Sequence, residues 1–590
     1  MLLLSLLGLS LLATACGGGA SPVATTPAPA FLSTPGTSAS QGNPYAYQIE
    51  ISPATGGINL ALTAAPPGAT LSGNTVTWTP SAAQSRVANQ FSLTASNAGG
   101  SAAQSWVVTP AGTVTGTFVT TYWTSSGPVQ VPFNWTTFVP GLPEALVPQP
   151  DGSFQTLNGS GNSDGTFSIP NVPGGYFWLQ PGPGTYWTSS SAFDFGIDIN
   201  GLAPSSGSGA TNTSLEVNLS GLDPLQIGDQ VTFLWDVSPF FSSILSEGSP
   251  SGATTLSSVY AIGSNVDFSQ TGTAFLLQYE PEIVGPFGFL KLALQATIAN
   301  LSMNNGTVNN VTETLAPSPQ QSFDLNVNGS AWTALLNNAG PGAVTPLWSG
   351  AGLEALPFLG ANMLAGSPFD LTVDLLAVLP GVTPVGGQGF VTATPCGGLG
   401  SQPMVNTDRD FGLVQYVDPF PSAWPRAFEF CIAASVAIPA SAAVPAFSTT
   451  IIDSQYTAVP TSQIVPLIGQ VQNPTVNGMS LFVPTTVNAT GITLSWTAPS
   501  GTTPTGYVVV PEVSLAEVSP MGTVPTYLSE GSFYTAKTSA LLPPLQAGKV
   551  YLFMITSILD GAANFETHPR RSALPTASVS ILSAPITINP

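Results

Sequence analysis

Short runs of period-two alternation, cut off every few residues by glycine or proline, leave this chain little to fold into except sheets. In "LKLALQATI", Leu290, Leu292, Leu294, Ala296 and Ile298 alternate with Lys291, Ala293, Gln295 and Thr297. Successive side chains of an extended strand point to opposite faces, so this spacing makes one face apolar. "VTFLWDV" sets Val231, Phe233, Trp235 and Val237 on one face, and "FDLNVN" does so with Phe323, Leu325 and Val327. The 61 glycines and 56 prolines among 590 residues break up long helices and supply the turns that short strands need. Helical stretches are few and short, such as Ala331–Asn338 and Leu353–Leu364. The expected fold is all-β, with tandem β-sandwich modules around a central β-rich region.

A chain this long exceeds the roughly 250–300 residues at which one hydrophobic core stops growing, so several domains are expected. Charged residues make up only 6% of it, which leaves its surface to be wetted by Ser, Thr, Asn and Gln. The formal net charge is −21, and the only cations that cluster are Arg570 and Arg571. Neutralising phosphates takes clustered cations, so nucleic acid is excluded as a partner, as is electrostatic docking on anionic membranes. Hydrophobic residues reach 43%, enough to build cores in place of a disordered chain.

Residues Leu2–Ala15 are apolar apart from Ser and Thr, too short a run to cross a bilayer but suited to the core of an export signal. The sequence Ala13-Thr14-Ala15-Cys16 resembles a bacterial lipobox. That resemblance implies cleavage before Cys16 and its acylation, with the lipid bilayer as a partner through the acyl anchor. The implied location is the outer membrane or cell surface. An ordinary secretory signal, with Cys16 incidental, is the alternative. In either case residues 1–16 are a signal segment and 17–41, rich in Gly, Ser, Thr, Ala and Pro, read as a flexible tether. In an oxidising compartment Cys396 and Cys431 could close a loop of about 35 residues, worth roughly 3–4 kcal/mol. Two unpaired thiols are the other reading.

Three stretches carry family resemblances. "NPYAYQIEI" (Asn43–Ile51), "PPGATLSGNTVTWTP" (Pro66–Pro80) and "FSLTASNAGGSAAQSWVVT" (Phe91–Thr109) make 42–110 similar to bacterial Ig-like domains, with Asn97, Gly99 and Gly100 in the last hairpin. The related cadherin-like modules bind calcium through several carboxylates, whereas this stretch has only Glu50. "VTG" (Val114–Gly116) and "DGTFSIPNVPGGYFWL" (Asp164–Leu179) make 111–204 resemble a carboxypeptidase-regulatory-like, transthyretin-type sandwich. "ITLSWTAPSGTTPTGYVVV" (Ile492–Val510) and "LLPPLQAGKVYLFMITSI" (Leu541–Ile558) make 475–590 similar to a fibronectin type III domain. That resemblance gives Trp496, Tyr507, Leu545, Gly548 and Tyr551 packing and corner roles. Residues 205–474 resemble no family and remain an unassigned β-rich region.

Chemistry-bearing groups are sparse. The single histidine, His568, lies in "ETHPRRS", which offers no nucleophile elbow, so it reads as a surface-loop residue. Nothing has the spacing of a zinc, phosphate or dinucleotide site, and no cofactor, metal or catalytic residue is assigned. Glu280 and Glu282 project to one face if their segment is extended; Asp408 and Asp410 flank Arg409. The hexapeptide "TYWTSS" occurs twice, at Thr121–Ser126 and Thr185–Ser190, and is either a recurring strand edge or an aromatic sugar platform at Trp123 and Trp187. The function expected is non-catalytic binding, adhesion or scaffolding at a cell surface, with polysaccharide or another surface protein as ligand. Its alternative is a carbohydrate-active enzyme whose catalytic domain lies in 205–474, needing two carboxyl groups. A transmembrane β-barrel shares the alternation, but the many prolines within its strand-like runs and an end reading "ITINP" weigh against it.

Overall fold

The computed structural model describes residues 26–590 apart from 201–211, 337–345, 358–376, 380–407 and shorter stretches elsewhere. The fold is all-β, built from β-sandwich layers, with a single α-helix among the described residues. The chain divides into two compact units, Met1–Gly112 and Thr113–Pro590.

In the first unit, Tyr45–Gln48, Thr75–Trp78 and Thr70–Ser72 form one sheet, and Asn59–Ala64, Asn89–Asn97 and Gly100–Val108 the other. Alternation sends Tyr45, Tyr47, Val76, Trp78, Phe91 and Trp106 into one core. Phe91 and Trp106 stack at 5.0 Å between centroids, and Trp78 meets Phe91 edge-on at 5.4 Å. The last hairpin turns where the sequence places it, with Gly99 N donating to Asn97 Oδ1 at 2.8 Å. A Cβ on Gly99 would collide with the Thr26 carbonyl oxygen, and Gly100 has φ +141°, so both glycines are required. Part of the tether expected over 17–41 is held against this unit. Ala30–Phe31 pairs with Ile51–Ser52, Tyr47 Oη donates to Ser33 O at 3.0 Å, and Tyr45 Oη donates to Gly36 O at 2.8 Å. The tyrosine hydroxyls at the rim need acceptors, and this incoming segment supplies them.

Within the second unit, two sheets face each other over residues 213–318. Thr255–Ala261, Ser214–Ser220 and Val308–Thr314 make one, and Ser242–Glu247, Gln230–Trp235, Gly272–Val284 and Phe287–Leu301 make most of the other. The face read from "VTFLWDV" is the core face, with Val231, Phe233, Trp235 and Val237 packed on Leu215 and Val217. Thr232, Leu234 and Asp236, on the opposite face, are buried as well. That strand is central and covered on both sides, which an alternating pattern alone does not announce.

Most of the remaining strands join one long sheet, with smaller sheets packed beside it, and its order joins distant parts of the chain. Glu144–Pro148, Phe177–Gln180 and Thr185–Thr188 run up to Phe533–Thr535, which continues into Gly506–Ser519, Val550–Leu559, Ala577–Leu582 and Phe447–Thr457. The junction is parallel: Thr185 lies opposite Phe533, Tyr186 opposite Tyr534 and Trp187 opposite Thr535. On one face Phe177, Leu179, Tyr186, Val508 and Tyr534 pack with Phe118 and Phe167 from the strands Gly112–Thr124 and Thr166–Val172. On the other, Trp178, Tyr507, Val509 and Phe553 pack with Leu494 and Trp496 of the sheet that includes Thr493–Thr497. The strands of 111–204 and 475–590 therefore share a sheet and two cores.

The helix spans Gly329–Leu336, close to the expected Ala331–Asn338. The second helical expectation, Leu353–Leu364, is corrected: Leu353–Pro357 ends a strand, Pro346–Pro357, paired with Arg426–Ile438, and 358–364 lies outside the described residues. A short apolar run has no helical periodicity of its own, and an available sheet edge decides its conformation. No helix among the described residues is long and apolar enough to cross a membrane.

Candidate functional site

Of the two tryptophans in the repeated hexapeptide, Trp187 lies in a surface cluster of aromatic and charged groups. It lies opposite Trp178 in the strand ladder, their ring centroids 4.9 Å apart. Tyr176, two residues before Trp178 and past the Gly174-Gly175 turn, stacks on Trp187 at 5.7 Å and 21°. Glu566 is brought in by the loop after Val550–Leu559. Its Oε1 accepts the Tyr176 hydroxyl at 3.0 Å, its Oε2 accepts Ser189 N at 3.2 Å, and its backbone oxygen accepts Thr188 Oγ1 at 2.7 Å. Lys537, one turn past Phe533–Thr535, places Nζ 3.8 Å from Glu566 Oε1 and 5.1 Å from the Tyr176 centroid. Tyr176, and then Glu566, hold that ammonium above the usual lysine range. Tyr176 and Trp187 are half-buried; Lys537 and Ser189 are exposed. The cluster thus combines aromatic surface with a carboxylate and an ammonium at its border, enough to bind and orient a polar ligand.

Trp123 stands in a different sheet from Trp187, on Gly112–Thr124 opposite Pro128. Cys16 and Cys396 lie outside the described residues, and so does the side chain of Cys431. Glu280 and Glu282 lie in an extended strand, opposite Lys291 and Phe289, so their positions share one face. Pro281 falls beyond Tyr279, the last residue paired with Gln230–Trp235, where a missing N–H costs no ladder bond on that side. Asp408 has a structural task, accepting Ser330 N at 3.1 Å and Ser330 Oγ at 2.8 Å at the start of the helix. Those bonds lower its pKa below the ordinary aspartate value. Asp410 lies opposite Asn326 in the adjacent strand. His568 is exposed in a tight loop, its N–H donating to Asn564 O at 2.7 Å. Among the described residues no three His, Cys, Asp or Glu side chains gather to hold a metal.

Two buried carboxyls escaped the sequence reading. Asp236 accepts Thr273 N at 2.6 Å, and burial pushes its carboxyl up to about 6 against that bond. Asp453 accepts Trp332 Nε1 at 2.7 Å, and burial pushes it up to about 7 against the influence of Trp332 and Gln455. One signal was present: in "TIIDSQY", Asp453 takes the inward position between Ile451 and Gln455.

No family model matches the chain, and no curated relative matches it. Among solved structures it is similar to a three-Ig fragment of titin, I67–I69, at 14% identity and a TM-score of 0.15, covering 49% of this chain and 99% of that one. It is also similar to the N-terminal eight Ig domains of Down Syndrome Cell Adhesion Molecule, at 11% identity and a TM-score of 0.13, covering 95% and 96%. Immunoglobulin domains 1–5 of Sidekick-1 align at 10% identity and a TM-score of 0.14, covering 95% and 99%.

Proposed function

We propose that this chain is an exported surface lipoprotein that binds carbohydrate without turning it over, with Cys16 as its acylated anchor and the Tyr176–Trp187 pair as its ligand platform. The observation that carries the ligand class is the half-buried aromatic pair flanked by Lys537 and Glu566. A sugar ring offers apolar C–H faces to an aromatic surface and hydroxyls to a neighbouring carboxylate and ammonium. The lipobox resemblance supports the anchor, and acyl chains hold a protein at a bilayer without a membrane helix. The Ig-like segment 42–110 separates the anchor from the platform along the chain, and the platform itself is built on strands of 111–204 with Lys537 and Glu566 supplied from 475–590.

The platform is tested with the mature protein on a panel of polysaccharides. Trp187→Ala is expected to weaken binding about tenfold, or 1.4 kcal/mol, while Trp123→Ala leaves it unchanged. Equal affinity of wild type and Trp187→Ala removes the platform. Mass spectrometry of the N-terminal peptide tests the anchor, and an unmodified Cys16 in the mature protein refutes it. Turnover of the bound glycan would move the assignment to an enzyme with Glu280 and Glu282 as its first candidates.

A further inference from the structure

The helix Gly329–Leu336 is fastened at three places. At its start, Asp408 and Asn328 accept bonds from Ser330 and Ala331. At its end, Gln470 Nε2 donates to Leu335 O at 3.4 Å. Between them, Trp332 reaches into the core and donates Nε1 to Asp453 Oδ2 at 2.7 Å. Asp453 is 4% exposed, and its other oxygen, Oδ1, has no hydrogen-bond partner. An ionised carboxylate this deeply buried is costly when one of its oxygens is left unbonded, whereas the protonated acid costs far less to bury.

Among the described residues no cation is paired with that charge. Gln455, next on the same face, donates from Nε2 to Val465 O at 2.8 Å, and as a neutral amide it offsets the burial of Asp453 only in part. Val579 lies opposite Asp453, and Ser557, the next position across, donates Oγ to Gly469 O at 2.5 Å. The helix, the segment 463–472 and the strands Val550–Leu559 and Ala577–Leu582 contain no charged residue. On the neighbouring strand Arg426 and Glu429 stand six and three positions from Ile432, which lies opposite Asp453; six positions is about 20 Å of strand. Asp408, followed by Arg409, caps the helix start at Ser330, two positions before Trp332, and Asp560 follows Val550–Leu559 three positions beyond Ser557.

We propose that the Trp332–Asp453 contact is a pH-operated latch, closed while Asp453 is protonated and releasing the helix Gly329–Leu336 as Asp453 ionises. With the helix seated, the carboxyl titrates near 7; released to solvent it returns to the ordinary aspartate value, near 4. Between those values the closed form holds a proton that the open form has lost. Opening therefore becomes about tenfold easier per pH unit up to about 7, and levels off above it.

Hydrogen exchange on the helix amides of the full chain, corrected for intrinsic rates, reads the opening directly. Protection over 330–336 is expected to fall about 100-fold between pH 5 and pH 8. Asp453→Asn keeps the shape without the charge and should hold protection nearly constant across that range. Trp332→Phe keeps an apolar ring in the core but removes the donor that favours the charged form, so its loss of protection should extend to higher pH. A flat wild-type profile, an Asp453→Asn profile that falls like wild type, or a Trp332→Phe profile that superimposes on wild type would each overturn the latch.

Discussion

Replacing Trp178 by alanine tests whether the strands of 111–204 and 475–590 form one structure or two modules in a row. Trp178 comes from the first stretch, yet its ring is fully buried in the core that holds Leu494, Trp496 and Phe553 of the second. Its Nε1 donates to Leu541 O at 2.6 Å, and it meets Phe533 edge-on at 5.2 Å. Truncating a buried Trp to Ala costs about 3–5 kcal/mol in lost transfer energy and cavity. The Leu541 carbonyl left without its donor adds about 1 kcal/mol. The total, about 4–6 kcal/mol, should appear in amides that lie more than 300 residues away in sequence. Native-state hydrogen exchange over Thr493–Thr497 and Ser539–Leu541 measures it, and Trp178→Phe, which keeps an aromatic ring but loses part of the indole with its donor, should cost less there, about 2–3 kcal/mol. If Trp178→Ala lowers protection over 144–180 while 493–541 keeps its wild-type value, the shared core is refuted.

Gly116→Ala should destabilise the sandwich formed with Gly112–Thr124 by about 1–3 kcal/mol, because a Cβ there collides with the Phe193 carbonyl oxygen and the Phe167 ring; a urea midpoint equal to wild type would remove that close approach. Asp236 has its pKa raised in the folded state, to about 6, so its contribution favours folding below about pH 4 and is lost as pH rises from about 4 to about 6. Asp236→Asn should therefore gain about 2–3 kcal/mol at pH 8 and nothing at pH 4, read from exchange over 230–237 and 272–279. A variant equally stabilised at both values would mean that the charge is not what the site resists.

Local features were legible in the sequence, and long-range ones were not. The Asn97–Gly100 hairpin could be read because a tight turn demands particular residues at adjacent positions, and the structure shows Asn97 and both glycines serving it. The core face of Val231–Val237 could be read because alternation marks one face, while the burial of Thr232 and Asp236 depends on what covers the other. Leu353–Pro357 misled because its conformation belongs to its partner, Arg426–Ile438. In the candidate site, Trp187 was singled out from a repeated hexapeptide, but its companions Lys537 and Glu566 arrive from segments about 350 positions further on. Asp408 showed in the sequence only as a carboxylate beside Arg409, because Ser330, which it caps, lies 78 residues earlier. Asp453 and Trp332 are 121 residues apart, and only the folded chain makes them neighbours.

The parallel pairing of Thr185–Thr188 with Phe533–Thr535 sets a timetable for making this protein. During vectorial synthesis, or threading through a membrane from the N-terminus, the first of these strands emerges about 350 residues ahead of its neighbour. Until then Trp178 lacks the wall it closes against and Tyr186 the Tyr534 ring that stacks on it, and the half-built sheet presents a bare edge to any other extended chain nearby. Such distant contacts make for slow folding, so the interval in which the polypeptide needs a chaperone's protection is written into the order of its strands.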